Sequence, residues 1–276
     1  MRALNKVGFI GLGNMGRMLI EGFINSDKLK SDEIVVSTRT RSKLKILNEC
    51  YPEIEISDNK SLAEKCNYIF ICVKPRDVRA VLDEIKQWVS CDVHVISVAA
   101  CVTIENIKKI IDCKISKVIP SITSEIGEGF SLVCHSPNVL KADAEYIESI
   151  FASISTVKVI DEKNFEVGAD LTSCAPGFFS AVISYFIEAG VKNSNFSRDE
   201  IENMVIKTFF ATSKMLSEKN ISAEELICRV ATRGGITEEG VKIMDNYLPD
   251  VFDQVFKKTL QKHEAIKDIL TKQYEM

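Results

Sequence analysis

The sequence predicts an α/β protein: an N-terminal half built on a mostly parallel sheet, followed by an all-α C-terminal half. Three observations predict it. Short apolar runs of strand length alternate with helical stretches up to about residue 161. Strand-like runs stop there. A glycine-rich turn lies between the first run and the first helix.

In chain order, Val7–Leu12 reads as an apolar strand and Asn14–Asn25 has helical spacing. Glu33–Ser37, Tyr68–Val73, His94–Val98, Ser116–Ile119 and Phe130–Cys134 read as further strands, with helical Asp77–Trp88 and Thr103–Ile111 between them. Strands that are apolar almost without interruption belong to a parallel sheet covered on both faces. Beyond Asp161 the spacing is helical. Phe178–Ile187 is apolar nearly all round, broken only by Ser180 and Ser184. Ile201, Met204, Val205, Phe209, Met215 and Leu216 share one helical face, and Phe252, Val255, Phe256, Ile266 and Ile269 another. A helix apolar on every side needs cover on every side. The division expected is therefore 1–161 for the sheet domain and 162–276 for an all-α domain through which the chain forms a homodimer or a higher homo-oligomer. The alternative is a monomer whose helices pack on the sheet domain.

The 276 residues are 46% hydrophobic and 27% charged, an ordinary globular balance. With 35 Lys and Arg against 39 Asp and Glu, the net charge of −4 excludes a strongly basic surface built for nucleic acid. No apolar run approaches the roughly 18 residues of a membrane helix, and Met1–Lys6 is read as too short for a signal peptide. Nine cysteines occur without a C-x-x-C pair and read as small buried hydrophobes of a reducing cytoplasm. His94, His135 and His263 are scattered, so no metal site is expected; His94 reads as a core histidine, and Trp88 as a packing residue.

Gly11-x-Gly13-x-x-Gly16 follows the first strand and opens the first helix. Gly11 permits a tight turn, Gly13 lets a pyrophosphate reach the backbone, and Gly16 lets helix and strand pack closely. The free N–H groups of Asn14 and Met15 and the helix dipole favour the phosphates. This is the signature of a Rossmann-type dinucleotide site. An NAD site usually carries Asp or Glu at the tip of the second strand. Here that tip is Val36-Ser37-Thr38-Arg39-Thr40-Arg41-Ser42-Lys43, where hydroxyls and cations suit a 2′-phosphate. NADP is the cofactor expected, and NAD the alternative.

Several stretches, in order along the chain, resemble the pyrroline-5-carboxylate reductase family. Asn59 precedes Lys60-Ser61-Leu62, Val73-Lys74-Pro75 matches V-K-P, and Ala99-Ala100-Cys101-Val102-Thr103-Ile104 resembles A-A-G-V-T-I. Pro176, followed after a helix by Glu188-Ala189-Gly190-Val191, resembles G-S-G-P-A-Y, and Gly234-Gly235-Ile236-Thr237 resembles P-G-G-x-T. The resemblance implies NADPH-dependent reduction of a cyclic imino acid, 1-pyrroline-5-carboxylate to L-proline. It implies that Asn59 contacts adenosine and that Val73, Lys74, Pro75, Ala99 and Ala100 frame the nicotinamide end. Gly235, Ile236 and Thr237 would receive substrate, with the Gly235 and Ile236 amides as an anion nest and the Thr237 hydroxyl on the ring nitrogen. It also implies a site shared between subunits. Read from the residues alone, Gly234–Thr237 is equally a capping turn with Thr237 as N-cap.

The departures cluster near the substrate. M-P-N-x-P appears as Ile119-Pro120-Ser121-Ile122-Thr123, the middle Ser of G-S-G-P-A is Cys174, Arg233 replaces a Pro, and Arg229 an Asn. Arg233 reads as a carboxylate clamp or a solvated arginine; Cys174 as a packing residue or a reactive thiol. These departures leave open a divergent, competence-type paralogue that binds NADP without this activity. A hydroxyacid dehydrogenase is the third reading. It is disfavoured because Gly168–Ser173 lacks the lysine that such chemistry needs.

Overall fold

A computed structural model describes residues 6–275. In the sheet region they form β1 (Val7–Ile10), α1 (Asn14–Asn25), β2 (Ile34–Ser37), α2 (Arg41–Cys50), β3 (Glu55–Ile56), α3 (Asn59–Lys65) and β4 (Tyr68–Ile71). There follow α4 (Pro75–Ile85), β5 (His94–Ser97), α5 (Ile104–Lys108), β6 (Lys114–Ile119), β7 (Gly129–His135), α6 (Lys141–Ala152) and β8 (Ser155–Val159). The rest is helical: α7 (Phe165–Ala169), a π turn (Asp170–Cys174), α8 (Ala175–Lys192), α9 (Arg198–Lys219), α10 (Ala223–Val230) and α11 (Ile236–Gln273).

The eight strands pair in the order β3-β2-β1-β4-β5-β6-β7-β8, parallel throughout except for β6 against β7. The first six follow the doubly wound dinucleotide-binding order, and the chain reverses direction across the sheet between β1 and β4. Apolar strands are buried on both faces. One face packs Ile10, Ile69, Ile71 and Val95 under Leu62, Val78, Leu82 and Ile107; the other packs Phe9, Phe70 and Ile96 under Leu19, Phe23, Ile147 and Phe151. Phe9 stacks on Phe70 at 4.7 Å, and Phe23 meets Phe151 edge-on at 5.4 Å.

Contacts divide the chain differently from element type. One compact unit runs to Cys174 and resumes at Thr259; the other is Ala175–Lys258. The sheet unit keeps the end of α11 because Leu270 and Tyr274 are buried in its core. In the second unit, α8 packs along α9, where Gly190 leaves room for Ile201: a Cβ there would lie 3.0 Å from its Cγ2. Most of that unit's large apolar side chains are nonetheless exposed, among them Phe179, Tyr185, Phe186, Phe209 and Phe210. Within the helical stretch Glu162–Lys192 an 18-residue window, of mean hydropathy 1.4, is long and apolar enough by composition alone to cross a membrane. That amends the expectation drawn from single apolar runs, which broke at its serines and glycines. Trp88 is 39% exposed and not a core residue. Cys66, Cys72, Cys101 and Cys113 are buried as expected, whereas Cys50, Cys91 and Cys228 are exposed.

His94 is buried in β5 with Nε2 2.6 Å from the Ser116 hydroxyl, which also lies 2.6 Å from His135 Nδ1. Its own Nδ1 has no partner among the described residues. Burial lowers the His94 pKa to about 4, against a weaker opposing pull from Asp143. A histidine with a lowered native pKa stays neutral in the fold while the unfolded chain takes up a proton, so stability falls as pH drops from 6.5 towards 4. The loss traceable to His94 is about 2 kcal/mol between about pH 7.5 and about pH 5. Urea unfolding of the parent and of His94→Gln at both pH values checks this: the variant lacks that share of the acid loss.

Candidate dinucleotide site

The turn after β1 crosses the point where the sheet order reverses. Gly11 has φ +104°, and a Cβ there would lie 2.7 Å from the Cys72 carbonyl oxygen. At Gly16 a Cβ would lie 2.3 Å from the Gly11 carbonyl oxygen, so α1 packs on the turn only because Gly16 has no side chain. Gly13 is different. Nothing lies within 4 Å of where its Cβ would be; it is the N-cap of α1, without a side-chain cap, and no acidic residue occupies the first turn. The first N–H groups of α1 have no partner within the helix, and the positive end of its dipole is not neutralised by a side chain. This is a cradle for a pyrophosphate.

A cleft of about 730 Å³ extends from this turn, lined by Gly11, Leu12, Gly13, Thr38, Arg39, Lys43, Asn59, Val73, Lys74 and Arg76, among others. It joins Gly11 and Gly13 to the tip of β2 and to Val73-Lys74; Gly16 and Pro75 are not on its lining. Lys74 is the N-cap of α4 and Pro75 its first residue, the position where a missing N–H costs nothing. Asn59 is the first residue of α3, whose N-cap is Asp58. The Ser37 hydroxyl donates to Asn59 Oδ1 at 2.7 Å, and Asn59 Nδ2 donates to Glu84 Oε2 at 2.8 Å.

Two features of the cleft escaped the sequence reading. Arg76 adds a cation, and Asp77 and Glu84 bring carboxylates from α4, the former 3.1 Å from Arg39 Nη2. Four cations (Arg39, Lys43, Lys74, Arg76) then face three carboxylates (Asp58, Asp77, Glu84). The β2 tip itself carries the hydroxyls and cations read there, with Asp77 from α4 paired to its Arg39. Cys72, on the cleft wall, is pushed by burial up to about 12 and is a neutral thiol.

The other expected residues lie elsewhere. Asn14 lines a second cavity of about 760 Å³ with Arg17 and Glu21, and Met15 packs against the core. Ala99 is buried and Ala100 exposed just past β5, outside the cleft lining. Cys101, which takes the glycine position of A-A-G-V-T-I, has φ +63°.

Gly235, Ile236 and Thr237 belong to the second unit. Gly234 has φ +72° and donates its N–H to Glu238 Oε2 at 2.7 Å; the Gly235 N–H donates to the Thr232 carbonyl at 2.8 Å. The Gly235 amide is therefore occupied. Ile236 and Thr237 open α11, where the first N–H groups have no partner within the helix. Thr237 is inside the helix and not its N-cap, because Gly235 supplies the first accepting carbonyl, to Glu239. Thr237 also lines a cavity of about 660 Å³ with Thr208, Met215, Leu226 and Val230. Arg233 is exposed, and Arg229 pairs with Glu225 along α10.

A doubly wound sheet with this glycine turn defines a dinucleotide-binding protein. Residues 6–101 match the family model described as NADP oxidoreductase coenzyme F420-dependent, and residues 162–266 the one described as pyrroline-5-carboxylate reductase dimerisation. Pyrroline-5-carboxylate reductase 3 of Bacillus subtilis is 36% identical over 98% of this chain and 100% of its own. ComE operon protein 4 of the same organism is 30% identical over the same shares, 98% and 100%. The crystal structure of Plasmodium falciparum pyrroline carboxylate reductase with NADP bound has a TM-score of 0.86 and 26% identity, covering 97% of this chain and 99% of that one. The chain belongs to the pyrroline-5-carboxylate reductase family, and it is an NAD(P)H-dependent oxidoreductase. Its C-terminal region is a dimerisation domain of that family, which supports homo-oligomerisation.

Proposed function

We propose that the protein reduces 1-pyrroline-5-carboxylate to L-proline with NADPH, as a homodimer in the cytoplasm. The observation that carries this reading is the end-to-end match to a pyrroline-5-carboxylate reductase, 36% identical across 98% of the chain. The cleft supports it. Bound NADPH supplies a hydride to the imine carbon. Gly11, Gly13 and the first turn of α1 hold the pyrophosphate; Thr38, Arg39 and Lys43 meet the 2′-phosphate, with Arg76 beside them. Asn59, fixed by Ser37 and Glu84, lies against the adenosine. Lys74, Pro75, Ala99 and Ala100 frame the nicotinamide end. The N–H groups of Ile236 and Thr237 take the substrate carboxylate, and the Thr237 hydroxyl hydrogen-bonds the ring nitrogen and orients the protonated imine, which needs only hydride at carbon.

The test is optical. NADPH oxidation follows addition of pyrroline-5-carboxylate, and Thr237→Ala lowers kcat/KM by about 10²-fold while leaving NADPH affinity unchanged. Thr237→Ser, which keeps the hydroxyl, retains most of the rate. The likeness to ComE operon protein 4, together with Cys174, Arg233 and Ser121 in altered motifs, favours a second reading: an NADPH-binding paralogue without this activity. Tight NADPH binding with no turnover of pyrroline-5-carboxylate decides for it.

A further inference from the structure

Within the sheet unit, the end of α11 lays His263 against the π turn Asp170–Cys174. Asp170 is 1% exposed. Its Oδ2 accepts from the Thr259 hydroxyl at 2.5 Å, and its Oδ1 lies 3.3 Å from His263 Nε2. No lysine or arginine pairs with it among the described residues. Cys174, four residues on, presents its sulfur to the same point: one carboxylate oxygen, one imidazole nitrogen and this Sγ all lie within 4.8 Å of one another. On the far side of the ring, His263 Nδ1 is 3.4 Å from Cys101 Sγ.

A buried carboxylate needs compensation. A protonated histidine would supply it through a short charge-assisted bond of about 2.7–2.9 Å. At 3.3 Å the His263–Asp170 contact is a long hydrogen bond, and the Cys174 thiol also hydrogen-bonds the Asp170 carboxylate. Two ligands of one tetrahedral ion, each bonded at about 2.0–2.1 Å, lie roughly 3.3 Å from one another. The mixed O, N and S donors are those of Zn²⁺. The surroundings match as well. Thr259 orients the carboxylate, and with Nε2 as ligand the ring's other nitrogen carries its proton towards Cys101, the arrangement by which outer groups fix a ligand's tautomer. π turns recur at functional sites, and this one sets Asp170 and Cys174 on one side of the helix.

We propose that Asp170, Cys174 and His263 form a three-ligand site for a divalent transition metal ion, Zn²⁺ by its donor set, with a fourth position for water. Scattered in the sequence, the three are brought together by α11 folding back on the sheet unit. The proposal does not rest on the reaction proposed above, although Cys174 lies in the stretch that the resemblance places near the substrate.

Co²⁺, added to the full chain after chelator treatment, is the probe. One equivalent gives intense tetrahedral visible bands and a near-ultraviolet sulfur-to-cobalt band, and Zn²⁺ abolishes both. Cys174→Ser, a one-atom change, removes the sulfur band. Thr259→Val weakens binding about 10-fold, the lower end for an outer group. Loss of the bands in His263→Gln counts in favour when its circular dichroism matches the parent; if that variant does not fold, the serine variant decides. No saturable one-equivalent band, or a sulfur band that survives Cys174→Ser, overturns the proposal and leaves a metal-free chain of hydrogen bonds.

Discussion

Gly13→Asp folds and melts like the parent but no longer binds NADPH, with affinity down at least about 100-fold. The fold tolerates it because nothing lies within 4 Å of the added Cβ. The cofactor does not, for two reasons. The side chain occupies the space where a pyrophosphate approaches the backbone. Its charge, at the N-terminus of α1, repels the phosphates that the helix dipole attracts. A carboxylate there is otherwise a good N-cap, worth about 1 kcal/mol, so thermal stability holds or rises slightly. Gly16→Val, three residues on, behaves oppositely. Its Cβ would stand 2.3 Å from the Gly11 carbonyl oxygen and 3.0 Å from the Cys72 Cβ. Backbone must move, and overpacking of this kind costs about 1–3 kcal/mol before any cofactor is considered. Fluorescence titration with NADPH, beside thermal melts of both variants, separates the two. Equal loss of stability in both would mean that the turn serves packing alone and that the cleft is not a dinucleotide site.

That contrast also shows where the sequence was informative. The glycine turn is local: its three positions act within ten residues, so the bounds of α1, read as Asn14–Asn25, are those found. The central strands were legible because burial on both faces makes them continuous apolar runs. Their ends were overrun by a residue or two: Leu12, Val73 and Val98 are apolar but lie past the ladders, the first two in turns that line the cleft. β3 escaped because it is two residues long, and β8 because Ser155–Val159 alternates polar and apolar at the sheet edge. Two of the cleft's carboxylates, Asp77 and Glu84, come from α4, far in sequence from the β2 tip whose composition was being read. Asp170 and His263 are 93 residues apart, and no spacing rule reaches across that distance. The engaged Gly235 amide was equally hidden, since a G-G pair in the sequence does not say which N–H its own turn consumes.

Phe186→Glu on α8 converts the proposed dimer to monomers at micromolar concentration while sparing the NADPH site. Tyr185 and Phe186 are 76% and 66% exposed in the single chain, on a helix whose other faces are also apolar. Apolar area on this scale is seldom left to water in a lone chain. A two-fold interface repeats every residue, so one substitution counts twice. Each buried phenylalanine contributes about 1.5–3 kcal/mol, and a buried unpaired carboxylate adds its desolvation cost. The dissociation constant therefore rises by at least about 10³-fold. Sedimentation across a dilution series reads this directly, and melting of the variant becomes that of an unpartnered chain. Ile126→Glu is the control: Ile126 is equally exposed, at 76%, but stands on the sheet unit, and its variant stays dimeric. A Phe186→Glu chain that remains dimeric at high dilution would move the interface off α8, and a parent that sediments as a monomer would leave the apolar all-round helix without the cover its sequence demands.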